Sequence, residues 1–207
     1  MQQAISQLSM DHQLRNRIAW ILRITTCLMF LARAYQHIFW DAPFRSILWD
    51  PGYMQWLVET FSAMSWDEYT RNLAVDRSIL RLVQGFGGFY VVCAGAALLI
   101  TPGRRWARWI LYVGSLALLL LAFMYCKEQF YRVGQFIEYS LQWSFPLLLA
   151  AFVTASRSER WLGNALRVAV ALTFVGHGLY AIGYYPIPGN FIDMTLNSLG
   201  GTEEQAR

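Results

Sequence analysis

The sequence predicts an all-α fold: a polytopic bundle of about five transmembrane helices in one integral membrane domain, residues 1–207, with short amphipathic helices on its outer side. Hydrophobic residues make up 56% of the chain and charged residues only 14%, against roughly 25% charged in an ordinary soluble domain. A soluble core of this size is too small to hide so many apolar side chains. Lipid is therefore the expected covering, and membrane lipid the first expected partner.

Five apolar windows are long enough to cross a hydrocarbon layer about 30 Å thick, which takes about 20 residues of helix. Proline and glycine mark several of their ends, as in Thr101-Pro102-Gly103 after the second window, because these residues do not continue a helix. The links after the second and fourth windows are short, so those neighbours are expected to be antiparallel. The windows are 18–40, 79–101, 106–125, 135–153 and 162–184.

The distribution of basic residues predicts the orientation, because basic loops resist translocation across the membrane. With the N-terminus inside, the cytoplasmic ends carry nine basic and two acidic residues, and the outer side eight basic and eleven acidic. The C-terminal tail, 185–207, then lies outside, with a short amphipathic helix predicted at 190–199. Arg23 and Arg33 within the first window predict a retained anchor and not a cleaved signal peptide.

The segment 41–77 is the largest predicted extramembrane part, and it carries helix-start signals. Asp50-Pro51 is typical of an N-cap followed by proline at the first helical position. Ser65 with Glu68 forms a capping-box pattern. We expect two amphipathic helices on the outer membrane surface and a protein partner docked there. Their large apolar residues are Met54, Trp56, Leu57, Val58, Phe61, Met64 and Trp66.

Polar side chains gather in the outer halves of the predicted helices, where each ionisable group costs several kcal/mol unless it is paired or hydrated. Arg33 and His37 stand one helical turn apart, as do Glu138 and Gln142. The predicted topology brings these groups to a similar depth, which indicates a shared outer pocket for a quinone or another small substrate. Its candidate residues are Arg33, His37, Glu128, Glu138, Gln142, His177 and Tyr180.

This polar cluster has three interpretations. As a structural network, Arg33 pairs with Glu138 or Glu128 and the histidines hydrogen-bond between helices. As a small-molecule site, the charged and histidine side chains bind a quinone or similar redox partner and exchange protons with it. As a metal or haem site, His37 and His177 are ligands from different helices. The sequence names no reaction and no catalytic residue.

Cysteines and glycines in the apolar windows favour packing over chemistry. Cys27, Cys93 and Cys126 form no CxxC pair, so we interpret them as small buried residues, with Cys126 as the alternative third ligand of a metal site. The basic residues form no single stripe, which argues against nucleic acid as a partner. The second window is rich in small residues that let another helix approach closely: Gly85, Gly87, Gly88 and Gly95.

The run from Gly88 to Ala107, GFYVVCAGAALLITPGRRWA, resembles the DoxX-like family, in which a glycine-rich helix, an arginine-bearing turn and an alanine-rich helix form a hairpin. The first helix, residues 23–40, is similar to that family's arginine-containing opening helix. The chain departs from the pattern in its 41–77 insertion and in a fifth helix bearing Gly176-His177-Gly178.

Members of the DoxX-like family are small bacterial inner-membrane proteins, and some are similar to the membrane subunit of thiosulfate:quinone oxidoreductase. The resemblance therefore implies an integral subunit of a respiratory or redox complex in the bacterial cytoplasmic membrane, with quinone contact. No catalytic residue is carried over from the family. The alternative is a self-contained membrane enzyme or a small-molecule transporter that uses the same outer pocket.

Overall fold

A computed structural model of the protein describes residues 2–155 and 157–184, with side-chain surroundings from residue 13 onward. These residues form α-helices and no strand, which confirms the predicted all-α class. The predicted tail helix at 190–199 lies outside the described residues. The helices are α1 (Gln2–Phe39), α2 (Arg45–Leu48), α3 (Pro51–Phe61), α4 (Trp66–Arg71), α5 (Leu73–Leu99), α6 (Arg105–Glu128), α7 (Val133–Glu138), α8 (Ser140–Thr154) and α9 (Glu159–Ala181).

Five helical stretches are long and apolar enough to span a membrane, and the chain is accordingly a multi-pass membrane protein. They are Gln13–Phe39 within α1, all of α5, all of α6, the combined stretch Val133–Thr154, and all of α9. All five begin earlier than the sequence predicted, and polar side chains cap the starts of two of them, α5 and α9. Asn72 accepts a hydrogen bond from the Ala74 amide at 2.8 Å before α5. Ser158 accepts one from the Trp161 amide at 3.3 Å before α9.

Four of the spans form the core of the bundle. Helix α1 packs against α5 and α8, and α6 packs against the same two helices. Their shared interior is filled by large side chains with almost no exposed surface, including Phe30, Tyr90, Leu111, Leu118 and Phe152. Helix α9 packs on the outside of α7 and α8. Only 17% of its most apolar stretch is buried, against 50% for α6, so most of α9 is left for lipid.

The small residues of α5 divide between an inner and an outer side. A Cβ atom on Gly87 would lie 2.6 Å from the Ile38 side chain and 3.2 Å from the Ala34 carbonyl oxygen. Glycine at this position therefore allows α1 and α5 to approach closely, as predicted. The other glycines of the predicted group, Gly85, Gly88 and Gly95, face outward, and a Cβ on any of them would meet nothing within 4 Å. The three cysteines are buried and unpaired.

Residues 40–72, which we call the cap, connect α1 to α5 and contain α2, α3 and α4. Both predicted helix starts are confirmed. Asp50 accepts a hydrogen bond from the Gly52 amide at 2.8 Å, with proline at the first position of α3. Ser65 accepts one from the Glu68 amide at 3.3 Å at the start of α4. Local hydrogen bonds from N-cap side chains thus set the starts of two helices within residues 40–72.

Ion pairs hold the cap on the bundle. Arg45 in α2 pairs with Asp76 of α5 at 2.8 Å. Lys127 at the end of α6 pairs with Asp50 at 2.5 Å and also donates to the Ser46 carbonyl oxygen. The hydrogen bond from Lys127 holds the pKa of Asp50 below its usual range. The cap is therefore fixed to two different transmembrane helices, close to the end of the bundle that carries the candidate site.

Candidate functional site

Arg33 of α1 is the centre of a hydrogen-bonded group that joins three helices. Its Nε donates to the Gln142 Oε1 atom of α8 at 2.9 Å, and its Nη2 donates to the same oxygen. Its Nη1 donates to Oε1 of Gln36, one turn further along α1. The Gln36 amide nitrogen in turn donates to the Tyr125 hydroxyl of α6 at 2.5 Å. With Tyr139, these residues are called the Arg33 cluster below.

Two stacked tyrosine rings lie beside the guanidinium group of Arg33. The rings of Tyr125 and Tyr139 stack with their centroids 5.1 Å apart. The Arg33 Cζ atom lies 5.0 Å from the Tyr139 ring centroid and 6.0 Å from that of Tyr125. Such placements favour a cation through the ring quadrupole. All members of the Arg33 cluster are half-buried, so the group lies at the margin of the bundle.

Over residues 13–155 and 157–184, the charge of Arg33 has no acidic counterpart in hydrogen-bonding contact. Arg33 lies six residues before the end of α1 at Phe39, about 9 Å along the helix axis, within a membrane-spanning stretch. Among the described residues its hydrogen bonds go to neutral amide oxygens, and no carboxylate lies within ion-pair distance. The structural-network interpretation expected Arg33 to pair with Glu138 or Glu128. Arg33 instead donates hydrogen bonds to Gln36 and Gln142. Glu128 itself is exposed at the end of α6.

His37 is fully buried between α1 and α5. Its Nδ1 lies 2.8 Å from the Arg33 carbonyl oxygen, one turn earlier in the same helix. Its ring makes edge contacts with the rings of Tyr90 at 5.0 Å and Phe44 at 6.0 Å. Within the part of the chain that the structure describes, its Nε2 has no hydrogen-bond partner. His37 thus links the backbone at Arg33 to the aromatic core of the bundle.

The remaining predicted residues form a second group between α7 and α9. The His177 Nε2 lies 3.5 Å from the Glu138 Oε1, and the Tyr180 hydroxyl donates to Gln135 Oε1 at 2.7 Å. About half of the His177 side chain is exposed, against 21% for Glu138. The candidate residues are therefore distributed over the Arg33 cluster, the buried His37 and this second group.

A one-residue interruption of the fourth span shapes the Arg33 cluster. Helix α7 ends at Glu138 and α8 begins at Ser140, where the sequence predicted one continuous helix over 135–153. Tyr139 lies between them, and its backbone carbonyl oxygen accepts a hydrogen bond from the backbone N–H of Gln142 at 2.9 Å. The interruption places Tyr139 over Arg33 and directs Gln142 toward it. Its sequence signal was absent, since no proline or glycine marks position 139.

The sequence interpretation placed Tyr125 among the polar groups at this depth but missed Gln36, Tyr139 and Gln135 as members of the site. Gln36 had a signal, because it stands three residues after Arg33 on the same face of α1. The arrangement as a whole combines N–H donors and a positive charge, which suit an oxygen-bearing ligand, with a stacked pair of aromatic rings beside them.

Within the described residues, no group of three or more His, Cys, Asp and Glu side chains lies close enough together to hold a metal ion. Comparison of the chain with protein-family models, with curated proteins and with solved structures gives no match. The chemistry of the Arg33 cluster itself therefore carries the functional interpretation.

Proposed function

We propose that this chain is an integral membrane subunit of a respiratory or redox complex, of the DoxX-like kind, and that it binds the head group of a quinone at the Arg33 cluster. The observation that carries the proposal is the guanidinium of Arg33, which lies in a membrane-spanning helix and whose hydrogen bonds, within the part of the chain that the structure describes, go to neutral partners. Ionisable groups at such depth are costly, and they mark binding sites more often than surface charges do.

A quinone matches the cluster in three respects. Its carbonyl oxygens are acceptors for the N–H groups of Arg33 and Gln142, and reduction increases their negative charge, which the guanidinium stabilises. Its flat ring is suited to stacking on tyrosine. Its apolar tail partitions into lipid, and the half-buried position of the cluster at the bundle margin gives access from that side. His37 and the Glu138–His177 pair are the nearby groups proposed to exchange protons with it.

We propose that the cap end faces the periplasm and the N-terminus the cytoplasm of a bacterial inner membrane. The opposite end of the bundle supports this orientation, because it gathers basic groups that resist translocation. There Arg15 pairs with Glu159 at 2.8 Å and donates to the Phe152 carbonyl oxygen at 2.8 Å. The cap is the proposed contact with a partner subunit, since Trp56 and Phe61 on α3 are exposed.

A quinone titration of the purified protein tests the binding site. A short-chain ubiquinone analogue added in detergent is expected to quench the aromatic fluorescence with saturation. Arg33→Gln is expected to weaken binding roughly tenfold, because it removes a charge-assisted donor. Arg23→Gln is the matched control, since Arg23 lies on the same helix but donates to the Ile100 carbonyl oxygen at 2.8 Å. Equal affinity of the wild type and Arg33→Gln would contradict the proposal.

A small-molecule transporter is the second candidate, and the interruption at Tyr139 favours it. Broken membrane helices frequently line transporter binding sites. Purification separates the two candidates. A redox subunit is expected to co-purify stoichiometrically with a redox-active partner, whereas a transporter purifies alone and moves its substrate into proteoliposomes.

A further inference from the structure

The outward face of α5 has a composition unlike that of the exposed side of α6. Seven exposed positions repeat at alternating spacings of four and three residues, which places them in one row along the helix. We call this row the α5 face. Its residues are Arg77, Arg81, Gln84, Gly88, Val91, Gly95 and Leu98.

The polar part of the α5 face has no side-chain partner in the portion of the chain that the structure describes. Arg77 and Arg81 form no ion pair with any described residue, and the Gln84 amide makes no side-chain hydrogen bond among them. Neighbouring arginines differ, since Arg45 pairs with Asp76 and Arg71 with Asp67 at 3.1 Å. Arg81 stands eight residues into α5, about 12 Å from its start. Two positive charges and an amide thus face outward at the cap end of a spanning helix.

The deeper part of the α5 face carries two exposed glycines. A Cβ atom added to Gly88 or Gly95 would meet nothing within 4 Å, so another backbone has room to approach there. The exposed side of α6 provides the contrast, because it presents Trp109, Val113, Leu116 and Leu120 to its surroundings. Large apolar side chains are what a purely lipid-facing surface requires. Glycine and glutamine on the α5 face gain nothing from lipid but favour close helix contact.

We propose that the α5 face docks a transmembrane helix of a different subunit, one that carries two carboxylates at the level of Arg77 and Arg81 and small residues opposite Gly88 and Gly95. Charge complementarity fixes the occupant. A second copy of this chain, related by a two-fold axis along α5, would place Arg77 and Arg81 against the same residues of its partner, which is unfavourable. The proposal rests on the proposed role as a complex subunit and adds the chemistry of the partner.

Binding of a synthetic single-span peptide tests this docking surface. The full-length protein is placed in phosphatidylcholine nanodiscs with a leucine-alanine peptide. The peptide has a pair of glycines spaced to lie opposite Gly88 and Gly95 and, near both ends, two glutamates four residues apart. A control peptide has glutamine at the glutamate positions. Binding is measured by energy transfer between labels on the protein and the peptide. The acidic peptide is expected to bind roughly tenfold more tightly than the glutamine control. Arg77→Gln with Arg81→Gln is expected to abolish that difference, and Gly88→Leu with Gly95→Leu to weaken binding of both peptides.

Substitutions on the α6 surface, Val113→Ala with Leu116→Ala, are the matched control and are expected to leave peptide binding unchanged. Equal affinity for both peptides overturns the proposal. The proposal is also overturned if added phosphatidylglycerol binds to the protein through Arg77 and Arg81 while neither peptide gives a binding signal, because the arginines then hold anionic lipid. The quinone titration on the same samples reports on the Arg33 cluster alone, so the failure of one site is distinguished from the failure of the other.

Discussion

Gln142 places one side-chain oxygen against two N–H groups of Arg33, with the Nε donor at 2.9 Å. The pairing joins α1 to α8 across the bundle and satisfies donors that lie at membrane depth. Across the described ranges it leaves the positive charge of Arg33 without an acidic partner in contact. A glutamate at position 142 has the same length, accepts the same hydrogen bonds and adds a negative charge. That difference separates the structural role of the contact from the proposed binding role.

We expect Gln142→Glu to raise the melting temperature of the purified protein by about 2 to 4 °C, because it creates a charge-assisted pair with Arg33 worth about 1 kcal/mol more than the amide contact. The same change is expected to weaken quinone binding, since the guanidinium then has its negative partner. Thermal unfolding followed by tryptophan fluorescence and the quinone titration check the two parts. Stronger quinone binding by the glutamate variant would contradict the charge argument.

The Lys127–Asp50 pair is expected to make the attachment of the cap depend on pH. Because Lys127 lowers the pKa of Asp50, the contribution of the pair is fully present above the usual carboxyl range and is lost as the pH falls through the lowered pKa. Asp50→Asn is expected to remove that part of the acid loss of stability. Melting temperatures measured between about pH 3 and pH 7 in detergent provide the check.

Asp67→Asn is the control for this comparison, because Asp67 pairs with Arg71 on the exposed surface of α4, where both side chains are more than 70% exposed. Exposed pairs contribute little, so the pH dependence should match that of the wild type. If Asp50→Asn also follows the wild-type curve, the pair does not hold the cap.

Much of this fold is predictable because hydrophobic runs and helix caps act locally. The membrane spans follow from apolar length, and the starts of α3 and α4 follow from Asp50 and Ser65, whose side chains bond to amides two or three residues away. The early start of α5 also had a local signal in Asn72. The predicted window began later, at residue 79, because the charged Asp76 and Arg77 in the first turns of α5 fall outside an apolar run.

The site is less predictable because it depends on contacts between distant segments. Arg33 and Gln142 are 109 positions apart, and nothing in the sequence shows that an amide and not a carboxylate faces the guanidinium. The rotation of each helix decides this, and helix rotation follows from packing contacts such as those at Gly87 and Gly176. The distribution of basic residues predicts that the polar groups lie at a common depth in the membrane. It does not predict which of them form hydrogen bonds with one another.

Gly176 is expected to control the contact between α7 and α9. A Cβ atom there would lie 2.7 Å from both the Glu138 amide nitrogen and the Gly134 carbonyl oxygen, and backbone atoms cannot move aside as a side chain does. Gly176→Ala is therefore expected to destabilise the protein by about 1 to 3 kcal/mol. Gly178→Ala, two residues along the same helix, meets nothing within 4 Å and is expected to be neutral or stabilising by up to about 1 kcal/mol. Equal melting temperatures for the two variants would contradict the close approach.

The two candidate histidines are expected to respond differently to truncation. His37 is fully buried against Tyr90 and Phe44, so His37→Ala leaves a cavity and is expected to cost about 2 to 5 kcal/mol. His177 is half-exposed and contacts Glu138 at 3.5 Å, so His177→Ala is expected to change stability by less than about 0.5 kcal/mol. His37→Phe preserves the buried ring volume and removes the imidazole nitrogens, which separates packing from chemistry. If His37→Phe keeps both the melting temperature and quinone affinity of the wild type, the imidazole serves packing alone, whereas a loss of affinity at unchanged stability assigns it to the binding site.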